Sequence, residues 1–352
     1  MSRDMELVCG VLNDLAAKIS RPLRFMEVCG SHSFAIAKAG IRHLLPASVQ
    51  LLSGPGCPVC VSGEDFISRA ILLVRAGVRV AVFGDLMKIP SPLGTLGAEK
   101  GLLVIYSPEE VLHYAAAHPE EEVVFAAVGF EPTLSAVSVL LDQAAEMNLK
   151  NFSLLCDFKN ILPVLNLLCQ DPETALDGFL LPGHVAAVIG SDAFRGLPVP
   201  GVIAGFSPEN ILSALALLLK SVVDGSKDVW NHYPSAVRRE GNTDAMAMIS
   251  RYFEPCAGEW RGIGMVSGGN WKIREEFQAY DAMIRYPEIQ GEMPQRKETG
   301  CRCGDVLKGK LRPEDCPLYG KTCDPTHPVG ACMVSLEGAC AAAWHNREVV
   351  HG

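Results

Sequence analysis

No stretch of the 352 residues is apolar for long enough to cross a bilayer; the most apolar run, Ile211 to Leu219, ends at Lys220. No basic face occurs, and a net charge of −9 argues against a protein that tracks nucleic-acid phosphates. The N-terminus carries Asp4 and Glu6 and lacks an apolar core before a cleavage site, so it does not read as a signal peptide. The expectation is a cytoplasmic chain with neither membrane nor nucleic acid as partner. Nor is there a Gly-x-x-x-x-Gly-Lys-Ser/Thr loop to cradle a nucleotide. Disorder is excluded as well. Hydrophobic residues make up 49% and charged residues 20%, which suits a folded protein of two or three domains with a sizeable core.

What the chain has in quantity is cysteine. Thirteen are present, and in the cytoplasm they point to metal ligation or redox work rather than a disulfide framework. Six fall between Cys301 and Cys340 and three between Cys29 and Cys60. Cys57-Pro58-Val59-Cys60, two thiols that could close a disulfide or clasp a metal, follows Gly54-Pro55-Gly56, residues that suit a tight turn. Ser62-Gly63-Glu64-Asp65 reads as a helix start with Ser62 as N-cap. Cys60 would then lie near the positive end of a helix, where its pKa is lowered. Inert apolar packing is the plainer alternative for the pair.

Strands and helices alternate from the N-terminus to about residue 240, which implies parallel sheets covered by helices. Leu103–Leu112 and Ile203–Leu212 both run from a strand into Ser-Pro-Glu, a hint of internal duplication. The expected fold is α/β: two similar parallel-sheet halves, 1–126 and 127–240, then a helical connection over 241–284. A small irregular Cys-rich domain, 285–352, completes it, its last helix packing back on the first domain. Ligands collect at the carboxyl ends of parallel strands. Cys29, Cys57, Asp85, Glu131 and His184 all closely follow expected strands, so one converging site is expected. Each of Asp85, Glu131 and His184 also has a blander reading as a helix cap.

Without periodicity, the C-terminal segment needs something besides apolar burial to hold it, and metal is the usual answer. Cys303, Cys316, Cys323 and Cys340 are separated by twelve, six and sixteen residues. Four thiolates suit tetrahedral zinc or a [4Fe–4S] cluster. The absence of paired Cys-x-x-Cys knuckles favours the cluster. Cys301 and Cys332 are read as non-ligands, Cys332 as a small buried apolar residue. Glu27-Val28-Cys29-Gly30-Ser31-His32 places a thiol and an imidazole on one strand-to-helix turn. Cys29 and His32 could be metal ligand, Cys–His nucleophile, or buried thiol beside a capping histidine. Cys9, Cys156, Cys169 and Cys256 read as structural.

Glu-Val-Cys-Gly-Ser-His, Gly-Pro-Gly-Cys-Pro-Val-Cys, Gly-Phe-Glu-Pro-Thr and Pro-Gly-His-Val occur in that order. Cys-Arg-Cys-Gly-Asp-Val-Leu-Lys-Gly and Val-Ser-Leu-Glu-Gly-Ala-Cys-Ala-Ala follow them. Together they resemble the HypD family of hydrogenase maturation factors over nearly the whole chain. The resemblance implies a scaffold on which the Fe(CN)2CO unit of [NiFe]-hydrogenase is assembled with the small chaperone HypC, which leads to the hydrogenase large subunit. Cyanide would arrive from HypE as a thiocyanate. It further implies that Cys29 holds the Fe(II) carrying CN and CO. Cys57 and Cys60 would be a redox pair, and Cys303, Cys316, Cys323 and Cys340 would hold a [4Fe–4S] cluster. Two other classes remain in view: an iron–sulfur thiol–disulfide reductase of the ferredoxin:thioredoxin reductase type, and a binding protein with a structural zinc knot. In a reductase, the Cys29–His32 motif would be idle.

Overall fold

The chain builds two sheets and visits each of them twice. The computed structural model describes residues 2–294 and 298–347; Met1 of the expected first half lies outside them, as do 295–297 and 348–352 of the expected Cys-rich domain. The strands are β1 (Leu23–Glu27), β2 (Val49–Ser53), β3 (Arg79–Phe83), β4 (Leu102–Ile105), β5 (Val123–Gly129) and β6 (Phe152–Lys159). They continue as β7 (Gly178–Pro182), β8 (Gly201–Ala204), β9 (Val229–Asn231), β10 (Phe253–Trp260) and β11 (Gly264–Ile273). One sheet has the order β2-β1-β7-β8-β9 and is parallel throughout. The other has the order β10-β11-β6-β5-β3-β4, parallel except where β11 joins β6 and β10.

The helices α1 (Arg3–Ala16), α2 (Gly30–Lys38), α3 (Ile41–Leu44), α4 (Pro58–Val61) and α5 (Glu64–Arg75) belong to the first passage. Then come α6 (Glu109–Ala117), α7 (Glu131–Glu146), α8 (Ile161–Gln170), α9 (Gly183–Ile189) and α10 (Pro208–Val223). The last four are α11 (Thr243–Tyr252), α12 (Ala282–Arg285), α13 (Cys303–Leu307) and α14 (Ala339–His345). Helices cover both faces of the parallel strands, which is why β5, Val-Val-Phe-Ala-Ala-Val-Gly, is buried along its whole length.

The α/β class with parallel-dominated sheets is as the alternation implied. The division into halves is not. An edge at 126/127 would cut β5, and each sheet takes strands from both sides of it. The two Ser-Pro-Glu segments both run from strand to helix, yet β4 is an edge strand and β8 an inner one. The region 241–284 is not simply helical. After α11 comes the antiparallel β10–β11 hairpin, whose Pro255, Gly258, Gly264, Gly268 and Gly269 dilute the strand pattern in the sequence. Burial of Phe253, Trp260, Val266 and Ile273 holds it in place, and polar burial adds to this. The fully buried Lys159 Nζ donates to Asp157 Oδ1 and to Glu259 O, both at 2.6 Å, and Asn270 Nδ2 donates to the same Asp157 oxygen at 2.9 Å.

The C-terminal segment does not enclose a core of its own. Val306, Leu307, Cys332 and Met333 share one apolar cluster with Met26, Val28, Leu52 and Trp260. Arg24 donates to Gly309 O at 2.6 Å, Thr174 Oγ1 to Lys308 O at 3.0 Å, and Lys310 pairs with Asp171 at 2.8 Å. Its final helix, α14, packs on α2.

Candidate functional site

The carboxyl ends of the two sheets face a common cavity of about 270 Å³. In the first sheet the order β2-β1-β7 places β1 where the chain turns one way to β2 and the other way to β7, the position where parallel sheets open a crevice. Cys29 follows β1 there, Gly56 and Pro58 follow β2, and His184 follows β7. From the second sheet come Phe130, Pro132 and Thr133 after β5, and Ile161 after β6. These residues open α2, α7, α8 and α9, so several positive helix ends line one cavity.

The Cys29 turn is fixed from below. Glu27, fully buried, accepts from Cys29 N through Oε2 at 3.3 Å and from Ser33 Oγ through Oε1 at 2.5 Å. Burial raises its pKa to about 7, against the pull of Arg42 and these donors. Burial likewise pushes the Cys29 thiol up to about 12; the Ser31 and His32 amides at the start of α2 oppose this, and Glu27 and Glu337 add to it. An electropositive cargo bound at the sulfur would reverse that balance and take the thiolate.

The Gly-Pro-Gly lead-in has a different purpose from the turn geometry expected of it. Gly30 N donates to Gly56 O at 2.9 Å, and a Cβ on Gly56 would stand 2.1 Å from Cys29 N. The two cysteine loops therefore touch backbone to backbone. Ser62 does not cap α5. Its hydroxyl donates to Pro58 O at 2.9 Å, while Gly63 N donates to Asp157 Oδ2 at 3.3 Å. Cys57 caps the single turn of α4, and Cys60 lies inside that turn, fully buried. The lowered pKa expected for Cys60 is overturned: contact with Cys332 and Cys57, together with burial, raises it well above the ordinary value.

The thiols continue away from the cavity. Cys60 touches Cys332, and Cys332 touches Cys303 and Cys340. Cys301, Cys303, Cys316, Cys323, Cys332 and Cys340 line one enclosed space of about 10 Å³. Its only polar donor side chains among the described residues, besides the Tyr319 phenol, are thiols, a set that suits iron–sulfur chemistry. Among the described residues, no three His, Cys, Asp or Glu side chains are grouped to hold a metal ion as they stand. The thiols would have to move apart to admit a cluster. Contact with Cys301 pulls the Cys303 pKa down, and contact with Cys332 together with burial outweighs it, leaving the thiol at about 12.

His32 faces away from Cys29 chemistry. Its Nε2 lies 2.9 Å from Gly205 O, its ring packs 4.9 Å from Phe206, and burial lowers its pKa to about 4. It locks α2 to the end of β8. His184 is exposed on the cavity wall and also stacks on Phe206, at 4.1 Å. Glu131 is buried beneath the wall formed by its neighbours Phe130 and Pro132, and burial raises its pKa to about 7. Asp85 lies outside the cavity lining. Its Oδ2 accepts from Ser335 Oγ at 2.7 Å, and that hydroxyl accepts from Glu337 N at 3.3 Å.

Two residues were missed. Glu337 lines the cavity and accepts from Ser31 Oγ at 2.7 Å, bringing a carboxylate from the far end of the chain beside Cys29. Its position just before the last helix, in the Val-Ser-Leu-Glu-Gly-Ala-Cys motif, was the available signal. Cys332 was set aside as packing, although six cysteines in so short a segment exceed what one cluster needs.

The chain matches the family model described as the hydrogenase formation hypA family, HypD, over residues 6–347. It is 39% identical to the hydrogenase maturation factor HypD of Azotobacter vinelandii, covering 94% of this chain and 92% of that protein. It is 36% identical to HypD of Escherichia coli K12, with 95% and 92% covered. A putative hydrogenase expression/formation protein of Methanocaldococcus jannaschii is 36% identical, with 96% of each chain covered. Shared motifs, matched length and this extent of identity lead to one conclusion: the chain belongs to the HypD family of hydrogenase maturation factors.

Proposed function

We propose that this chain is the scaffold on which an iron carrying CN and CO is assembled for [NiFe]-hydrogenase, with Cys29 holding the iron. One observation carries this reading. A thiol at the sheet switch point lies against a Cys-Pro-Val-Cys loop, in a cavity of about 270 Å³ that has room for a small metal complex. A soft thiolate suits low-spin Fe(II), and the helix ends around it suit a cargo bearing anionic cyanide. The close backbone contact between the two loops also argues against a free-standing reductase, in which Cys29 would be idle.

Cys57 and Cys60 supply the reducing equivalents. A thiocyanate R–S–CN takes two electrons to give R–SH and cyanide. The two thiols provide those electrons and the protons as they close to a disulfide. Cys332, in contact with Cys60, Cys303 and Cys340, carries the thiol chain toward the C-terminal set. Cys332 touches Cys340 as well as Cys303, so that contact sets neither apart, and Cys303, which spacing selected, stays the fourth ligand beside Cys316, Cys323 and Cys340. A [4Fe–4S] cluster, when bound there, would supply one-electron transfer from an outside reductant. Ser31 and Glu337 flank Cys29 and orient what it binds. A HypC-type chaperone and the HypE cyanide donor, both in the cytoplasm, are the partners this chemistry calls for.

The test is infrared and Mössbauer spectroscopy on protein copurified anaerobically with its small partner. CN and CO bands and iron beyond a cluster complement are expected in the native chain and absent from Cys29→Ala. Bands that survive in Cys29→Ala would remove the assignment. Cys303→Ser is expected to lose cluster iron, whereas Cys301→Ser retains it.

A further inference from the structure

Glu27 is the most deeply buried carboxylate near the cavity, and the reading above gives it no role. It closes β1, and its side chain turns back beneath the Cys29 turn. The two carboxylate oxygens are divided between the two ends of that turn: Oε2 takes the Cys29 amide at 3.3 Å, and Oε1 takes the Ser33 hydroxyl in the first turn of α2 at 2.5 Å. Arg42 holds the carboxylate from the other side. Its Nη2 stands 3.8 Å from Oε1 and donates to Ser53 Oγ at 2.8 Å, while its Nε donates to Leu51 O at 3.2 Å. The group thus ties together the ends of β1 and β2 and the start of α2, the three pieces of backbone that converge on Cys29.

A buried charge is costly to desolvate unless it is well paired, so a neutral apolar residue would stabilise this fold more cheaply. A Glu here is explained by what it holds. Cys29 is extended backbone, with φ −147° and ψ 125°, immediately before a helix, and its own side chain makes no capping bond. Its backbone is otherwise held by the Ser33 amide on Cys29 O at 3.0 Å and by the Gly30–Gly56 contact, and Glu27 is the one side chain that takes the Cys29 amide itself. We infer that Glu27, with Arg42 behind it, is a positioning residue that sets the Cys29 thiol in the cargo cavity through hydrogen bonds across the turn. This rests on Cys29 being the cargo-holding thiol.

A carboxamide can keep both contacts, its oxygen on the Cys29 amide and its NH2 on the Ser33 hydroxyl, whose proton is then free for Cys29 O at 3.4 Å. Glu27→Gln should therefore behave as a rescue of Glu27→Ala. Two readouts apply. In cargo-free protein, the rate of Cys29 alkylation is followed by mass spectrometry against Cys57 and Cys60 in the same sample. In protein copurified with its small partner, the CN and CO bands are recorded. Glu27→Ala is expected to speed Cys29 alkylation at least fivefold, to leave Cys57 and Cys60 within twofold, and to broaden or abolish the bands. Glu27→Gln should stay within twofold of the native rate with native band positions. If Glu27→Ala does not fold, Ser33→Ala removes the helix-side contact alone and should speed Cys29 about threefold. Native rates in these variants, equal acceleration of all three cysteines, or Glu27→Gln matching Glu27→Ala would overturn the inference. Absence of bands in the native protein would instead count against the scaffold reading and leave the alkylation result standing.

Discussion

The Cys29 turn and the C-terminal cysteine set solve the same problem, placing thiols, in opposite ways. At Cys29 the backbone does the placing. Two parallel strands end together, a carboxylate spans the turn, and a glycine of the neighbouring loop lies flush against it. In the C-terminal segment, six thiols are brought together by short helices and turns that rest on a core belonging mostly to other elements. One site is made rigid by secondary structure and the other by docking. The difference predicts that substitutions of the same size will have unequal effects in the two places.

The largest effect is expected from Gly56→Ala. Its Cβ would stand 2.1 Å from Cys29 N and 2.4 Å from Cys29 Cα, both backbone atoms within a hydrogen-bonded turn that cannot step aside. Overpacking a core typically costs about 1–3 kcal/mol, and a backbone clash belongs at or above the top of that range. The denaturation midpoint should fall by an amount equivalent to about 3 kcal/mol or more, or the protein should fail to accumulate. A variant of native stability would show that the turn is softer than its contacts imply.

The next effect is electrostatic and also belongs to the sheet-built side. Glu27, Glu131 and Asp157 are buried there, whereas among the described C-terminal residues no carboxylate is buried. Burial raises Glu131 from an ordinary 4.5 to about 7. The folded state therefore binds its proton more tightly than the unfolded state does. The stability this contributes is fully present below pH 4.5 and is lost as pH rises through about 7. That shift corresponds to about 3 kcal/mol as an upper figure. Glu131→Gln should remove the dependence, so that the variant gains on the native chain between pH 5 and pH 8 in urea titrations. A constant difference at both pH values would mean that Glu131 titrates normally.

The same contrast explains what could be read from the sequence. The α/β class and the strand ends at Cys29, Gly54 and His184 were legible because runs such as Val123–Val128 and Leu23–Val28 carry their burial in their composition. The hairpin β10–β11 was not legible, because its buried Phe253, Trp260, Val266 and Ile273 are set among glycines and Pro255 without a strand's alternation, and part of its anchoring is the polar group of Lys159, Asp157 and Asn270. The interleaving of the two sheets was hidden for a related reason: strand pairing is decided by helix packing over long sequence separations. Within the site, residue types next to strands could be named. Glu337 and Cys332 reach it only through tertiary docking, which leaves no local periodicity. Cys60 shows the limit of local argument. Its helix-start context suggested an activated thiol, and burial against two other cysteines gives the reverse.

The smallest effect is expected from Gly330→Ala, the C-terminal counterpart of Gly56→Ala. Here too a Cβ would be too close, 2.5 Å from Cys301 Sγ, with Cys303 Cβ next at 3.6 Å. The nearest atom is the end of a side chain that can change rotamer, and the backbone at Gly330, φ −118° and ψ 155°, suits any residue. The stability change should stay within about 1 kcal/mol. Reorienting Cys301 has a different cost. Cys301 lies against Cys303, so turning it disturbs the cluster-holding thiols, and Gly330→Ala should fold and melt like the native chain yet retain less iron after anaerobic purification. If it is as unstable as Gly56→Ala, then the C-terminal thiols are held as firmly as Cys29, and the contrast between sheet-built and docked sites fails.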